Sequence, residues 1–415
     1  MRQVLFHIPL PWLADGIPIY GYGMMLFGAF ILCNWLAGRR AQKEGIPRER
    51  IQDMAIWIFI VGLIGARTTY LLEVDHPASV VEFLKRFPRI WDGGIILYGA
   101  VLGGLAGYAL AYWFILRKYQ LSTWKIADII APAAAVGLCL GRIGCLLNGC
   151  CFGNVAFPEW TGLHFPLCAP PRVILVERGW QTAAGFTMTQ QDDADLRTVR
   201  AVAGESPAAQ AGLQPGDVIV AANGHPIANL LSVVYLDHQQ RFLTHFDHYA
   251  AGRKFVDSLH QNHQEVVDVY DDLEDHLVHQ WPRGQTEFTL TVQRDGGEIT
   301  LPAIAPRTLG LIPTQVYESI SMALLFLVLT AFYPLRRHDG EVMALLMLGY
   351  GAHRFLNERL RDDPRPVGFE EYISVFLMAA AVLIFLWLRR KPAQYGPPRK
   401  LKEPSAKNPA ASVVG

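Results

Sequence analysis

The chain has 415 residues, of which 51% are hydrophobic and only 18% charged, and its 37 basic side chains balance its 37 acidic ones. This composition is too apolar for a soluble protein of this size and predicts an integral membrane protein. The zero net charge, with no basic stretch interleaved with aromatic residues, excludes a nucleic-acid-binding protein.

Seven segments approach the roughly 20 apolar residues that cross a bilayer. They are residues 16–38, 54–72, 93–116, 126–147, 313–335, 342–360 and 372–388. The first residues lack a basic segment followed by an apolar run and a cleavage site, so we expect no signal peptide. The sixth segment is the weakest prediction, because Glu341 and Arg354 enclose a short uncharged stretch.

Loop charges predict the orientation, because lysine and arginine accumulate in cytoplasmic loops. Basic residues follow the first, third, fifth and seventh spans: Arg39, Arg40, Lys43, Arg117, Lys118, Arg336, Arg337, Arg389 and Arg390. The N-terminus and the long segment after the fourth span are therefore predicted outside the cytoplasm. The predicted domains are a membrane core at 1–155 and 309–390, a linker at 156–184, an inserted domain at 185–308 and a disordered cytoplasmic tail at 391–415.

Residues 141–153, GRIGCLLNGCCFG, end the fourth span with one arginine, three cysteines and four glycines. Their predicted position outside the cytoplasm permits disulfides. We expect a bridge between Cys168 and either Cys150 or Cys151, although sequence does not determine connectivity. A zinc site completed by His164 and a thiol that takes part in chemistry are the alternatives. The remaining cysteines, Cys33 and Cys139, lie within spans and are predicted to be inert.

The inserted domain contains SPAAQAGLQPGDVIVAANGHPI at 206–227, with helix-start, turn, strand and hairpin signals in succession. This stretch resembles a PDZ domain of the bacterial envelope-protease type. The resemblance implies an extracytoplasmic α+β domain in which Gly185, Phe186 and Thr187 bind an extended peptide or a free C-terminus by strand addition. A spacer or a dimerisation module is the alternative interpretation.

Residues 235–285 interrupt the PDZ pattern with a histidine-rich run whose apolar residues recur at helical spacing, which predicts a helical hairpin. Two histidine pairs, His245 with His248 and His260 with His263, have metal-ligand spacing. Solvated helix faces often carry such pairs, so we expect no metal there.

Polar side chains within spans are costly in lipid and therefore mark functional positions. The predicted orientation brings six spans to the outer leaflet with such residues near their ends. They are Tyr20, Tyr22, Arg67, Tyr98, Arg142, Gln315, Tyr317, Glu318, His353, Arg354, Glu358 and Arg361. Asp128 alone lies at the inner end, where a helix-terminal role and a packing role are equally expected.

Several arginines that face one cavity, oriented by carboxylates, form a site for an amphipathic anion. Guanidinium groups bind phosphate oxygens in pairs, and these bonds strengthen in a low-dielectric cavity. The predicted ligand is a phospholipid headgroup. The structural alternative is mutual neutralisation, because Arg354 and Glu358 are one helical turn apart.

Four motifs occur in order along the spans: YGMM at 22–25, GRIG at 141–144 followed by Asn148 and Gly149, PTQVYE at 313–318 and YGAHRF at 350–355. In this combination the sequence resembles the prolipoprotein diacylglyceryl transferases of bacterial inner membranes. The likeness covers roughly residues 20–155 and 309–390. It implies an all-α enzyme with seven membrane helices that carries the PDZ-like domain as an insertion.

The resemblance implies transfer of a diacylglyceryl group from phosphatidylglycerol to the lipobox cysteine of a prolipoprotein, with no cofactor and no metal. It implies that Arg142 and Arg354 hold the lipid phosphate and that Tyr22 belongs to the site. With Tyr98 and His353 they form the expected catalytic group. The expected substrate-binding residues are Arg67, Asn148, Gly149, Gly153, Gln315, Tyr317, Glu318, Glu358 and Arg361.

Two features depart from the family. The family's third span carries His-Gly-Gly, whereas this sequence has Tyr98, which is a poor base near neutral pH, so His353 is the alternative base. Cys145 and Cys150 stand where the family has asparagine or glutamate. A non-catalytic phospholipid-binding transporter or sensor remains the alternative function, because buried arginines also serve transport pathways. An intramembrane zinc protease is excluded, because the sequence contains no His-Glu-x-x-His motif.

Overall fold

The computed structural model describes residues 4–10, 13–75, 77, 79–88, 96–189, 195–237, 240–262, 264–362 and 369–395. Its helices are α1 (Gly21–Lys43), α2 (Arg48–Tyr70), α3 (Val80–Arg86), α4 (Leu97–Phe114), α5 (Thr123–Asn148), α6 (Pro170–Glu177), α7 (Pro207–Gln210), α8 (Tyr249–Gln261), α9 (Asp272–Glu274), α10 (Thr314–Phe332), α11 (Glu341–Glu358) and α12 (Phe369–Arg389).

The strands form several small sheets. They are β1 (Val4–Leu10), β2 (Leu13–Tyr20), β3 (Leu163–His164), β4 (Phe186–Met188), β5 (Val199–Val202), β6 (Val218–Ala222), β7 (His225–Pro226), β8 (Leu231–Asp237), β9 (Gln240–Phe246), β10 (Glu265–Asp271), β11 (Leu290–Arg294), β12 (Gly297–Thr300) and β13 (Gly310–Leu311). Their orders are β1-β2, β13-β3, β4-β5, β12-β11-β6-β7 and β10-β8-β9.

Five of the described helices are long and apolar enough to cross a membrane: α1, α2, α5, α10 and α12. The apolar part of α4, Gly99–Phe114, is shorter. The sixth predicted span is also a helix, α11, but it contains Glu341, Arg354 and Glu358. The membrane character of the protein is thus confirmed.

The first predicted span begins too early. Residues 13–20 form β2, which pairs with β1 in an antiparallel hairpin, and α1 begins only at Gly21. Pro18 explains the difference, because proline breaks a helix interior but is tolerated in an edge strand. The start of the third predicted span, residues 93–95, lies outside the described residues.

Glycines bring α2 and α4 into close contact. A Cβ added at Gly103 would lie 2.4 Å from the Val61 carbonyl oxygen, and one at Gly65 would lie 2.4 Å from the Gly99 carbonyl oxygen. Such backbone approach is the usual way in which membrane helices pack, because van der Waals contact replaces the hydrophobic effect in lipid.

Asp128 has a helix-terminal role. It is fully buried on α5, and its two carboxylate oxygens accept hydrogen bonds from the Gly340 and Met343 backbone nitrogens, each at 2.9 Å. The carboxylate therefore caps the N-terminus of α11, where it also opposes the positive end of the helix dipole.

The inserted region from β4 to β12 has the local structure that its turn residues predict. Ser206 caps α7 through the Ala209 backbone nitrogen, and Asn223 and Gly224 adopt positive φ in the β6–β7 turn. Its core packs Phe186, Ile219 and Leu290 together with other apolar residues. A separate sheet-containing region is thus present within the helical protein.

The helical hairpin predicted at 235–285 is wrong for most of that segment. Strands β8, β9 and β10 form a three-stranded sheet, and among the described residues of this segment only α8, α9 and a short π-helical turn are helical. Phe242 and His245 lie on β9, where side chains repeat every two residues, so the apparent helical spacing is coincidental. His263 lies outside the described residues.

Candidate active site

Three segments meet where α5 ends, α10 begins and α11 ends. The Gly153 nitrogen donates to the Ile312 carbonyl, and the Asn154 nitrogen donates to the Leu360 carbonyl, each at 2.9 Å. A Cβ at Gly153 would lie 2.5 Å from the Leu360 oxygen, so only glycine permits this contact. These two hydrogen bonds and the close contact at Gly153 fix the relative positions of the charged residues on the three helices.

Glu318 joins two arginines from different helices. Its carboxylate is 1% exposed; Oε1 lies 2.9 Å from Arg142 Nε, and Oε2 lies 3.9 Å from Arg354 Nη1. The predicted approach of Arg142 and Arg354 at one end of the bundle is therefore present. Glu358 and Arg361 join the same network, so three guanidinium groups face two carboxylates and the cluster retains net positive charge.

A second carboxylate continues the network along α11. Glu358 Oε2 lies 3.1 Å from Arg354 Nη2 and 3.9 Å from Arg361 Nη1. The sequence alternative, in which Arg354 and Glu358 neutralise each other one turn apart, thus accounts for part of the geometry. It does not account for the additional contact of Arg354 with Glu318.

The loop after α5 is held by the first turn of α10. Gly149 ends α5 with positive φ, and the following carbonyls of Cys150 and Cys151 accept hydrogen bonds from Gln315 Nε2 at 2.7 Å and Thr314 Oγ1 at 2.5 Å. The Asn148 side chain interacts with the Cys150 thiol. Gln315 therefore has a defined structural contact with this loop.

Aromatic residues and one histidine border the arginines. Tyr22 on α1 packs at Gly144 of α5 and interacts electrostatically with Arg142. His353 interacts electrostatically with Arg142, Glu318 and Arg354, and its buried Nε2 has no hydrogen-bond partner among the described residues. Tyr22 and Tyr317 are about two-fifths exposed.

Two predicted site residues are not brought into this cluster by the described contacts. Arg67 is buried on α2, where its Nη2 donates to the Arg86 carbonyl at 2.9 Å and its guanidinium lies over the Tyr70 ring. The Tyr98 backbone lies in the first turn of α4, but its side chain is outside the described part of the structure.

The expected disulfide is wrong, because all six cysteines are described and each is free. Cys168 packs against the core of the inserted region, whereas Cys150 and Cys151 contact Cys145 at the end of α5. The alternative zinc ligand His164 is also engaged elsewhere, since its Nδ1 lies 2.8 Å from the Thr308 carbonyl.

Sequence reasoning missed three residues of the cluster. Asn357 Nδ2 donates to Glu318 Oε2 at 3.3 Å, and Tyr350 interacts electrostatically with Arg142. Thr314 donates to the loop after α5 that carries Cys150 and Cys151, here called the cysteine loop. Helical periodicity carried a usable signal, because Asn357 follows Arg354 by three residues and therefore shares its face of α11.

Two cavities lie apart from the arginine cluster. One of about 680 Å³ is bordered by Trp160, His164 and Arg307. The other, a groove of about 420 Å³ in the inserted region, is bordered by β4 and by Leu273, Glu274 and Leu277. Burial, reinforced by the nearby Asp271, Asp268 and Glu177, raises the pKa of Glu274 to about 8.

Replacement of Glu274 with glutamine is expected to stabilise the inserted region by an amount that grows as pH rises from about 4.5 to 8. The folded-state pKa lies above the unfolded value of about 4.3, so native stability falls as pH rises from about 4.5 to 8. After allowance for solvent screening, we expect a gain of about 2 kcal/mol at pH 8.5 and almost none at pH 4.5. Hydrogen–deuterium exchange of wild type and variant at matched pH measures this difference, with the exposed Glu298→Gln as control. An equal effect at both pH values would contradict the assignment.

The fold and the site define a polytopic membrane protein with a buried cationic cluster shared by three helices. The family model for prolipoprotein diacylglyceryl transferases matches residues 9–387. The chain therefore belongs to the prolipoprotein diacylglyceryl transferase family.

Several curated relatives have one name, phosphatidylglycerol–prolipoprotein diacylglyceryl transferase. The protein of this name from Rhodopirellula baltica is 26% identical over 409 residues, which cover 90% of this chain and 73% of the relative. Those from Geobacillus kaustophilus and Thermosynechococcus vestitus are 32% and 31% identical over 151 and 159 residues. These matches cover 36% and 38% of this chain and 54% and 57% of the relatives, so the chain spans just over half the length of both.

Proposed function

We propose that this protein transfers a diacylglyceryl group from phosphatidylglycerol to the lipobox cysteine thiol of a prolipoprotein. The observation that carries the proposal is the Arg142–Glu318–Arg354 cluster, in which guanidinium groups from two helices, both partly buried, contact one buried carboxylate. A site with excess positive charge beneath one end of a membrane bundle suits an anionic lipid headgroup. Family membership supplies the reaction.

In the proposed reaction the two arginines hold the lipid phosphate. The acceptor sulfur, as thiolate, attacks the carbon of the diacylated glycerol that bears the phosphate. A C–S bond forms while the C–O bond between that carbon and the phosphate breaks. Glycerol phosphate leaves with the bonding electron pair, and Arg142 and Arg354 stabilise the charge that develops on it. Glu318 orients both guanidinium groups from beneath.

The other residues predicted for the site, inside and outside the arginine cluster, have proposed roles in substrate binding. Gly149 and Gly153 are proposed to act by positioning the site, because protein atoms fill the space beside both glycines. Glu358 and Arg361 extend the charged surface, and Tyr98 is proposed to donate a hydrogen bond. The remaining proposed contacts are Tyr22, Arg67, Asn148, Gln315 and Tyr317.

The proposed proton acceptor for the thiol is His353. Its buried Nε2 has no hydrogen-bond partner in the described part of the protein, and it interacts with both arginines. We expect His353→Ala to lower the transfer rate about 10²-fold and to leave lipid binding unchanged, because only proton transfer is lost. His353→Gln is the matched polar control, and near-normal turnover by either variant would remove His353 from this role.

Membrane topology is part of the proposal. We propose seven spans, with α4 and α11 crossing beside the five longer helices, in the bacterial inner membrane. The basic ends of α1 and α12 support a cytoplasmic location for these ends, and in the proposed orientation the N-terminus, the loop after α5 and the inserted region lie outside. This orientation puts the site on the side where lipobox cysteines emerge.

The inserted region is proposed to be a PDZ-like peptide-binding domain. The groove of about 420 Å³ lies beside Phe186–Met188, which is an edge strand, and is also bordered by Leu273 and Leu277, so it supports strand addition at this edge. A peptide added along β4 would pair with backbone groups there, with Gly185, which has positive φ, at the start of the strand.

A deletion of residues 186–305 tests recruitment through this groove. We expect transfer to full-length prolipoproteins to fall about tenfold while transfer to a short lipobox peptide is retained, because only the longer acceptor reaches the groove. Met188→Pro, which removes a backbone donor on the side of β4 that faces away from β5, should reproduce the loss, and Met188→Val should not. Equal activity of deletion and wild type on both acceptors would refute recruitment.

The reaction itself is tested with purified protein, phosphatidylglycerol and a lipobox peptide. The expected product is the peptide with a thioether-linked diacylglyceryl group, detected by its mass. A peptide with serine in place of the cysteine is the control. Lipid binding without a covalent product would instead favour a non-catalytic phospholipid transporter or sensor.

A further inference from the structure

Three thiols, one from the last turn of α5 and two from the loop that follows it, converge at the arginine cluster. The Sγ atoms of Cys145, Cys150 and Cys151 all lie within 4.8 Å of one another. A tetrahedral zinc ion with Zn–S bonds of about 2.3 Å separates its sulfur ligands by about 3.8 Å. Inward rotation of three side chains by less than about 1 Å therefore converts this triad into a metal-binding set.

We propose that Cys145, Cys150 and Cys151 bind one Zn²⁺ ion and leave its fourth coordination position open for the acceptor cysteine. Thiolate ligands select soft or borderline metals, and among these zinc has no redox chemistry of its own. Three protein ligands with one open position are typical of catalytic zinc, whereas structural sites use four. The family resemblance does not imply this metal.

The backbone conformation and two hydrogen bonds hold the loop that carries Cys150 and Cys151 in place. Cys151 has a φ of 61°, an uncommon conformation for a residue other than glycine, and strain of this kind concentrates at functional sites. The hydrogen bonds from Gln315 to the Cys150 carbonyl and from Thr314 to the Cys151 carbonyl fix the loop in this shape. Such supporting contacts preorganise metal ligands.

The surrounding charge suits a metal–thiolate centre. Three thiolates and one Zn²⁺ carry a net charge of about −1. Arg142 Nη1 lies 3.5 Å from Cys151 Sγ and 3.8 Å from Cys145 Sγ, and its guanidinium compensates that charge. A disulfide is the competing state, but three cysteines form one bridge at most and leave the third thiol unpaired.

The open position gives the acceptor thiol a route to its reactive form, and this step rests on the proposed function. The lipobox thiol binds Zn²⁺ as thiolate and passes its proton to His353. Its sulfur then forms the C–S bond as the C–O bond breaks, and glycerol phosphate departs with the bonding electrons. The product thioether is neutral and a weak zinc ligand, so it leaves the metal. No electron donor or acceptor is needed.

Metal analysis of the full-length protein, purified under reducing conditions without chelator and then given Zn²⁺, tests the site directly. We expect about one tightly bound zinc per molecule and loss of most of it in C145S, C150S and C151S. Cys168→Ser is the matched thiol control, and Asp268→Asn controls for zinc at the separate cluster of Glu177, Asp268 and His279. Both controls should retain the metal.

Cobalt replacement in the wild-type protein avoids dependence on variants that fail to fold. We expect an intense thiolate-to-cobalt absorption band, which shifts when a lipobox peptide is added and does not shift with its serine analogue. Substoichiometric metal in reduced wild type, or full retention in all three cysteine variants, would overturn the site. If cobalt binds but its absorption spectrum does not change when the lipobox peptide is added, coordination of the acceptor thiol to the metal would be overturned. Because none of these readouts measures transfer, failure of the proposed reaction would be distinguishable from failure of the metal site.

Discussion

Substitution of Arg142 with alanine is expected to lower the transfer rate about 10³-fold, equivalent to about 4 kcal/mol of transition-state stabilisation. Arg142 is the guanidinium closest to the shared carboxylate, at 2.9 Å, and it also faces the thiols of the cysteine loop. In the proposed reaction the departing phosphate gains charge in a low-dielectric site, where a fixed cation is worth far more than in water.

Arg142→Lys should recover only part of this loss, because an ammonium group does not reproduce the paired donors that a guanidinium offers to phosphate and carboxylate. Arg359→Ala is the matched control, since Arg359 lies on the same end of the bundle but is exposed and stacks on the Phe355 ring. The measurement is the rate of diacylglyceryl-peptide formation at saturating lipid. An Arg142→Ala protein with undiminished turnover would contradict the phosphate-binding role.

The convergence of Arg142, Glu318 and Arg354 could be predicted from sequence because depth in a membrane follows from a few rules. Each residue's distance from the end of its span, together with alternating span direction, placed all three at one end of the bundle. The structure confirms that approach. Arg67 satisfied the same rule, yet its described contacts are with Arg86 and Tyr70, because depth does not determine which way a side chain faces.

The structure of the inserted region was predictable only at turns and helix caps that few residue types can occupy. Ser206, Gly212 and the Asn223–Gly224 turn occupy the expected positions, because few residues fit a helix cap or positive φ. Between β8 and β10 the sequence has no proline and no Asn-Gly pair, and its one glycine, Gly252, lies inside α8. Aromatic and histidine residues at ambiguous spacing there suggested a helical hairpin, although strands are also rich in aromatic residues.

Cysteine pairing was not predictable for a different reason. A position outside the cytoplasm permits disulfides, but it does not determine which cysteines come into contact. The structure brings Cys145 of the last turn of α5 together with Cys150 and Cys151, because Gly149 ends that helix and reverses the backbone direction. Cys168 instead begins the segment that packs against the inserted region.

Glu318→Ala should cause the largest loss of stability among the substitutions considered. The carboxylate is 1% exposed and lies between Arg142 and Arg354, so its removal leaves two partly buried guanidinium groups without this counter-charge. Breaking a buried ion pair on one side costs about 3–5 kcal/mol. Thermal unfolding in detergent is the measurement, and the exposed Glu371→Ala on α12 is the control.

A double substitution separates the electrostatic cause from simple loss of packing. If uncompensated charge dominates, Glu318→Ala combined with Arg142→Ala should be more stable than Glu318→Ala alone, by about 1–2 kcal/mol. If the cavity left by the side chain dominates, the second substitution should add its own cost. Additive destabilisation would therefore show that Glu318 acts as a packing residue, and its proposed role in orienting the two guanidinium groups would be lost with it.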